Sequence, residues 1–163
     1  MKIRKLNRWF LVATFVVGFS CRGYGAIEGS IPDAVELVKK PVVVNGYEVH
    51  YSAFNSEFLS PEIAASYNLE RRSREGIVNI AVRDTKLSSV GSAASAKITG
   101  RATNLLGQGS ELVFQEVREG GVIYYLASFR FSNEDMLTFT LDVQPEKSLR
   151  SGRVKFGQQF FSE

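Results

Sequence analysis

The stretch LTFTLDV (137–143) alternates without a break: Leu137, Phe139, Leu141 and Val143 fall on one side, and Thr138, Thr140 and Asp142 on the other. A period of two belongs to a strand, whose successive side chains point to opposite faces, and it leaves a helix with no coherent buried stripe. The same phase recurs upstream. In YEVHYSAF (47–54), Tyr47, Val49, Tyr51 and Ala53 share one face, and Glu48, His50, Ser52 and Phe54 the other. In IVNIAVR, Val78, Ile80 and Val82 line up together. Asn45-Gly46 separates VVV from YEVHY, and this dipeptide suits a two-residue hairpin turn because both central residues there need positive φ. AKITGRATNLL, ELVFQEVRE, VIYYLASFRF and VKFGQQFF read as further strands, joined by the turn-rich stretches GQGS, GG, SNEDM and PEKSLRSG. VIYYLASF is apolar on both sides for four residues, as a central strand covered on both faces would be.

One helix interrupts this pattern. Ser60-Pro61-Glu62 supplies a cap residue, a proline at the first helical position and an acid in the first turn, so a short helix is expected near residues 61–67. Asn68 can end it in a left-handed conformation, and Ile63 and Tyr67, four apart, would anchor it. About seven or eight short strands with turns between them and one small helix predict a mostly β, single-domain antiparallel β-sandwich, immunoglobulin-like in general architecture. An open barrel is the competing arrangement. The serine-rich stretch DTKLSSVGSAASA is expected to be a flexible loop.

The N-terminus has a different character. MKIRKLNR carries four cations and no acid, and WFLVATFVVGFS follows with no charge over twelve residues. That run is too short to span a bilayer core of ~30 Å as a helix and matches a secretory signal peptide. Cleavage after Gly25 leaves Gly23 and Gly25 at the −3 and −1 positions; cleavage after Ser20 is the second choice. The expected organisation is therefore a signal peptide at 1–25, a lead-in at 26–41 with a helix candidate between Pro32 and Pro41, and the β-sandwich domain at 42–163. The destination is the periplasm. A lipoprotein anchored through Cys21, the sole cysteine, is the alternative, and contact with a membrane is expected only then or if the leader stays uncleaved. The whole chain has 20 Lys+Arg and 17 Asp+Glu. Five of those cations and none of the acids lie in residues 1–25, so 15 face 17 in the remainder and the net of +3 becomes −2. Without a basic excess a nucleic-acid partner is not expected.

YEVHYSAFNSEFLSPEIAASY, IVNIAV, ATNLLGQ, EVREGGVIYYLASF, SNED and KFGQQFF together resemble the domain-of-unknown-function family 4426, over residues 47–162. The family comprises small exported proteins of Gram-negative bacteria with no established activity. The resemblance implies export and one small domain, and it brings no catalytic residues with it.

Chemistry has few footholds. His50 is the single histidine, and general acid–base work requires a partner to orient or be activated by it. Glu48 and Ser52 share its strand face, but neighbours two apart on one strand point in parallel, ~6.5–7 Å apart at the backbone, which disfavours the convergence of a triad. With one histidine and no cysteine after Gly25, zinc would need at least two carboxylates from distant strands, and SNED (132–135) with Asp142 lacks the spacing of a calcium loop. In ATNLLGQGS the alternation fails at Leu105-Leu106, which predicts a bend flanked by Asn104 and Gln108, whose amides can serve a corner or an approaching peptide. Asn55 admits the same two roles where strand gives way to helix. Arg71, Arg72 and Arg74 are largely neutralised by Glu70 and Glu75. Tyr124 falls opposite the Tyr125–Phe129 face and is the aromatic best placed for a ligand. The expectation is a non-enzymatic binding module for a protein or peptide partner, through an exposed strand edge. Its candidate surface comprises His50, Asn55, Asn104, Gln108 and Tyr124, with no catalytic residue, metal or cofactor. A glycan- or lipid-binding module, or a hydrolase using His50 with carboxylates, is the alternative.

Overall fold

The computed structural model describes residues 40–86 and 91–162. The expected leader, Cys21 and the helix candidate after Pro32 lie outside the described residues. The chain opens with a hairpin, β1 (Val42–Val44) and β2 (Tyr47–Asn55), whose turn is Asn45-Gly46. Both turn residues have positive φ, 52° and 82°, which is the conformation that asparagine and glycine tolerate best. A 3-10 turn (Ser56–Phe58) and helix α1 (Pro61–Ser66) follow, then β3 (Glu75–Asp84), the two-residue β4 (Ser92–Ala93) and β5 (Ala96–Thr103). The remainder is β6 (Gly109–Leu112), β7 (Gln115–Glu119), β8 (Val122–Arg130), β9 (Asp135–Pro145) and β10 (Gly152–Phe160).

These strands make two antiparallel sheets. The first runs β1-β2-β3-β8-β7, with β4 beside the end of β3; the second runs β10-β9-β5-β6. The mostly β sandwich expected from periodicity is what forms, and the sheets do not close into a barrel. Inward residues keep the phase read from the sequence. Tyr47 and Val49 on β2, Val78, Ile80 and Val82 on β3, and Leu137, Phe139, Leu141 and Val143 on β9 are all buried. Aromatic rings fill the space between the layers: Phe129, Phe139 and Phe160 meet edge to face, with centroids 4.9 Å and 5.0 Å apart about Phe129. Tyr51 and Phe156 bring rings of opposite sheets to 4.5 Å.

One strand expectation is corrected. ELVFQEVRE is not a single strand. Leu112 ends β6 in the second sheet, Val113 and Phe114 cross over, and Gln115 begins β7 in the first. The alternation runs through the crossing unbroken, with Leu112 buried and Phe114 packed against the core. Periodicity reports which face is covered and carries no information on which sheet a strand joins.

Candidate functional site

The outer face of the first sheet is built in rows. Cross-strand register aligns Phe54 with Ile77, then Ser52, Asn79, Leu126 and Gln115, then His50, Ala81, Tyr124 and Val117. Such a face normally carries polar side chains, yet here Ile77 is fully buried and Leu126 nearly so. On the far side of that face stand α1 and its flanks, whose Leu59, Ile63, Tyr67 and Leu69 line one cavity with Ile77 and Leu126. This is why VIYYLASF is apolar on both sides: Tyr125, Ala127 and Phe129 face the sandwich interior, and Tyr124 and Leu126 face the helix.

Six residues cannot sustain a helix alone, so α1 depends on its ends. At the N-terminus the Ser60 hydroxyl accepts from the Ile63 N–H at 3.3 Å, Pro61 opens the helix, and backbone N–H donation, then Ser60, holds the Glu62 carboxyl below its usual range. At the C-terminus Tyr67 donates its hydroxyl to Glu119 of β7, and the Gln115 side-chain amide donates to the Tyr67 carbonyl at 2.8 Å. The bond to Glu119, first, keeps the Tyr67 hydroxyl protonated to higher pH than usual.

Between helix and sheet lies a cavity of about 290 Å³. Its walls are Phe54, Ile77 and Leu126 from the sheet, Leu59 and Leu69 from the segments flanking α1, and Ile63 and Tyr67 from the helix itself. Tyr124, Val117, Asn79 and Glu119 complete the lining. Within this mostly apolar surround the Asn79 side-chain oxygen, Oδ1, is shielded from solvent and accepts no hydrogen bond. Native proteins leave few such groups, because an unmade hydrogen bond costs the full desolvation of the atom. Glu119 is the one charged residue in the lining, among the described residues, and it is bonded to Tyr67; no cation reaches the cavity.

Of the five residues singled out from the sequence, Tyr124 lies in this cavity. His50 stands on the same face two strands away, across Ala81. Its Nε2 is 3.5 Å from a Glu48 carboxylate oxygen, makes no hydrogen bond and lies outside the cavity. Asn55 donates its side-chain amide to the Phe161 carbonyl at 2.9 Å and ties down the C-terminal segment. The Asn104 side-chain carbonyl accepts from the N–H groups of Leu106 (3.0 Å) and Gln108 (2.9 Å), and its amide donates to the Gln108 side chain. Asn104 and Gln108 therefore staple the β5–β6 turn and hold Leu105 and Leu106 more than 80% exposed. Asn79 escaped sequence reasoning. The available signal was an amide on the outward side of IVNIAV, directly between two apolar positions, Ile77 and Ala81.

No three His, Cys, Asp or Glu side chains gather to form a metal site among the described residues, and no described helix is long and apolar enough to cross a membrane. A comparison with curated proteins finds no match. Among solved structures, a DUF4426 family protein from Pseudomonas aeruginosa PAO1 is 30% identical with a TM-score of 0.66, covering 77% of this chain and 97% of that one. FetP of uropathogenic Escherichia coli strain F11, expressed recombinantly in the periplasm, shares the fold at 11% identity and a TM-score of 0.55, covering 77% and 95%. A copper-bound variant of the same FetP gives 10%, 0.56, 77% and 97%. The profile of DUF4426, a domain of unknown function, matches residues 42–163, and with that match and the Pseudomonas relative the chain belongs to the DUF4426 family.

Proposed function

We propose that this chain is a non-enzymatic binding module, exported to the periplasm, whose site is the cavity beneath α1 and whose ligand is a bulky apolar side chain of a protein or peptide partner. The observation that carries the proposal is the unpartnered Asn79 Oδ1 inside a mostly apolar cavity. An acceptor kept without a donor destabilises the free protein, and a ligand with an N–H beside an apolar group supplies the missing bond. At about 290 Å³ the space sits at the lower limit of small-molecule sites, ~300 Å³, and suits a side chain better than a cofactor. Fatty acids fit poorly, since the carboxylate would find Glu119 and no cation. A sugar, with hydroxyls on every face, would meet mostly hydrocarbon.

Copper, which the FetP variant holds, does not suit the donors here. His50 is the only histidine, Glu48 is its neighbouring carboxylate, and no third His, Cys, Asp or Glu joins them among the described residues. A hydrolase reading is disfavoured by the same pair, which lies outside the cavity.

The test is a peptide-library selection on the purified chain, followed by nuclear magnetic resonance titration with an enriched peptide. Peptides with bulky apolar residues should be enriched, and shifts should concentrate at Asn79, Val117, Tyr124 and Leu126. Val117→Trp, which fills the cavity from the β7 side, should abolish binding. Shifts confined to another surface, or undiminished binding by that variant, would reject the assignment.

A further inference from the structure

Strand β10 is an edge of the second sheet, with no strand on its far side among the described residues. It pairs residue for residue with β9 over nine positions, from Gly152↔Val143 to Phe160↔Asp135, without a bulge or a proline. Natural sheets usually guard an edge of this length, because its free N–H and C=O groups are a template for another strand, and here the guards are the charges of Arg153 and Lys155.

The groups that face outward follow from the neighbouring ladders. Glu146 donates its N–H to the Ser95 carbonyl, and the Thr103 hydroxyl reaches the Thr138 carbonyl, so even-numbered residues of β9 point their backbone toward β5. Backbone direction alternates along a strand, so odd-numbered residues of β9 face β10 and bond its even-numbered partners. Arg153, Lys155, Gly157 and Gln159 therefore aim their N–H and C=O groups away from the sheet, the Gln159 carbonyl accepting from the Gln158 side-chain amide at 3.3 Å. Their side chains lie on its solvent face and all four residues are exposed.

We infer that β10 pairs with β10 of a second copy, antiparallel about a two-fold axis at Phe156, joining the four-stranded sheets into one of eight strands. Register selects this axis. An axis at Val154 sets Arg153 opposite Lys155, and an axis at Lys155 sets that lysine against itself; like charges directly opposite destabilise a pair. An axis at Phe156 places Lys155 opposite Gly157 and Arg153 opposite Gln159, with all nine residues paired. Gly157 then acts as a receptor for the lysine stem. A Cβ built there would meet nothing closer than the Leu137 carbonyl oxygen at 3.8 Å, so the space above it is open. An axis at Gly157 also avoids like charges but leaves Gly152 and Arg153 beyond the paired stretch.

The same open space makes Gly157 a clean test, because a side chain there does not disturb the protomer. Sedimentation velocity on the purified chain over a range of concentrations should show a monomer–dimer equilibrium. Gly157→Lys places a cation opposite Lys155 twice by symmetry and should weaken association about tenfold at low salt with an unchanged melting curve. Adding Lys155→Glu to that variant should restore it. Gly157→Glu alone should tighten association. A chain that stays monomeric to about 1 mM, where binding is worth only ~4 kcal/mol, overturns the proposal. So does equal weakening by both Gly157 substitutions, which an axis at Gly157 would produce, or a charge swap that fails to rescue.

Discussion

Tyr125 shows how a single hydroxyl can fasten two sheets. Its ring is buried between the layers, and its hydroxyl accepts from the Ala96 N–H at 2.8 Å and donates to a Glu116 carboxylate oxygen at 2.9 Å. Tyr125→Phe would leave the Ala96 N–H without its acceptor, while Glu116 keeps its bond to Arg118, and should cost about 1 kcal/mol. Burial raises the Tyr125 hydroxyl above the usual tyrosine value near 10; the Ala96 N–H opposes this, and the Glu116 bond adds a smaller rise. A raised folded-state pKa means that its stabilisation is intact below the unfolded value and is lost as pH rises through the folded one. Melting temperatures measured from pH 8 upward should accordingly fall faster above about pH 10 in the parent than in Tyr125→Phe, narrowing the gap between them. Asn79 carries the opposite expectation. Asn79→Leu removes an orphaned acceptor while keeping the branched shape and should stabilise the free protein by about 1 kcal/mol in urea unfolding. It should also weaken the enriched peptide several-fold; a loss of stability would show that the amide serves the fold alone.

At the scale of elements, α1 is the part most dependent on its neighbours. Its cap and proline are local, but its C-terminal half is fastened from β7 by Glu119 and Gln115. Tyr67→Phe should leave the global transition within a few degrees while raising amide hydrogen exchange across residues 64–69 several-fold. Exchange rising equally in β3 and β8 would mean that the helix is integral to the sheet. Much at this scale was legible in the chain. The Asn45-Gly46 hairpin and the Ser60-Pro61 helix start are set by sterics and hydrogen bonds within four residues, so the sequence declares them. The split of ELVFQEVRE into β6 and β7 was not legible, since the buried face stays in phase through Val113-Phe114 while the pairing partner changes.

For the whole molecule, export and self-association are the properties open to measurement. The leader composition leads us to expect a mature chain that begins at Ala26, to be checked by intact mass of the periplasmic fraction. A lipid on Cys21 would replace that expectation with an anchored form. The two proposed surfaces are well apart in the fold. The cavity lies on the outer face of the first sheet and the β10 edge bounds the second, so peptide binding and dimerisation should be separable: Val117→Trp spares association, and Gly157→Lys spares peptide binding.

Residues 137–143 alone establish that the chain makes strands with one covered face, and similar short stretches establish the turns and the helix start, because each depends on neighbours a few positions away. Only the tertiary structure decided what covers the other face of VIYYLASF, where Asn79 points, and which strands are left at an edge. The cavity draws on positions from Phe54 to Leu126, and β10 is an edge because no other strand among the described residues pairs with its far side. Neither property exists until strands distant in sequence have chosen their partners.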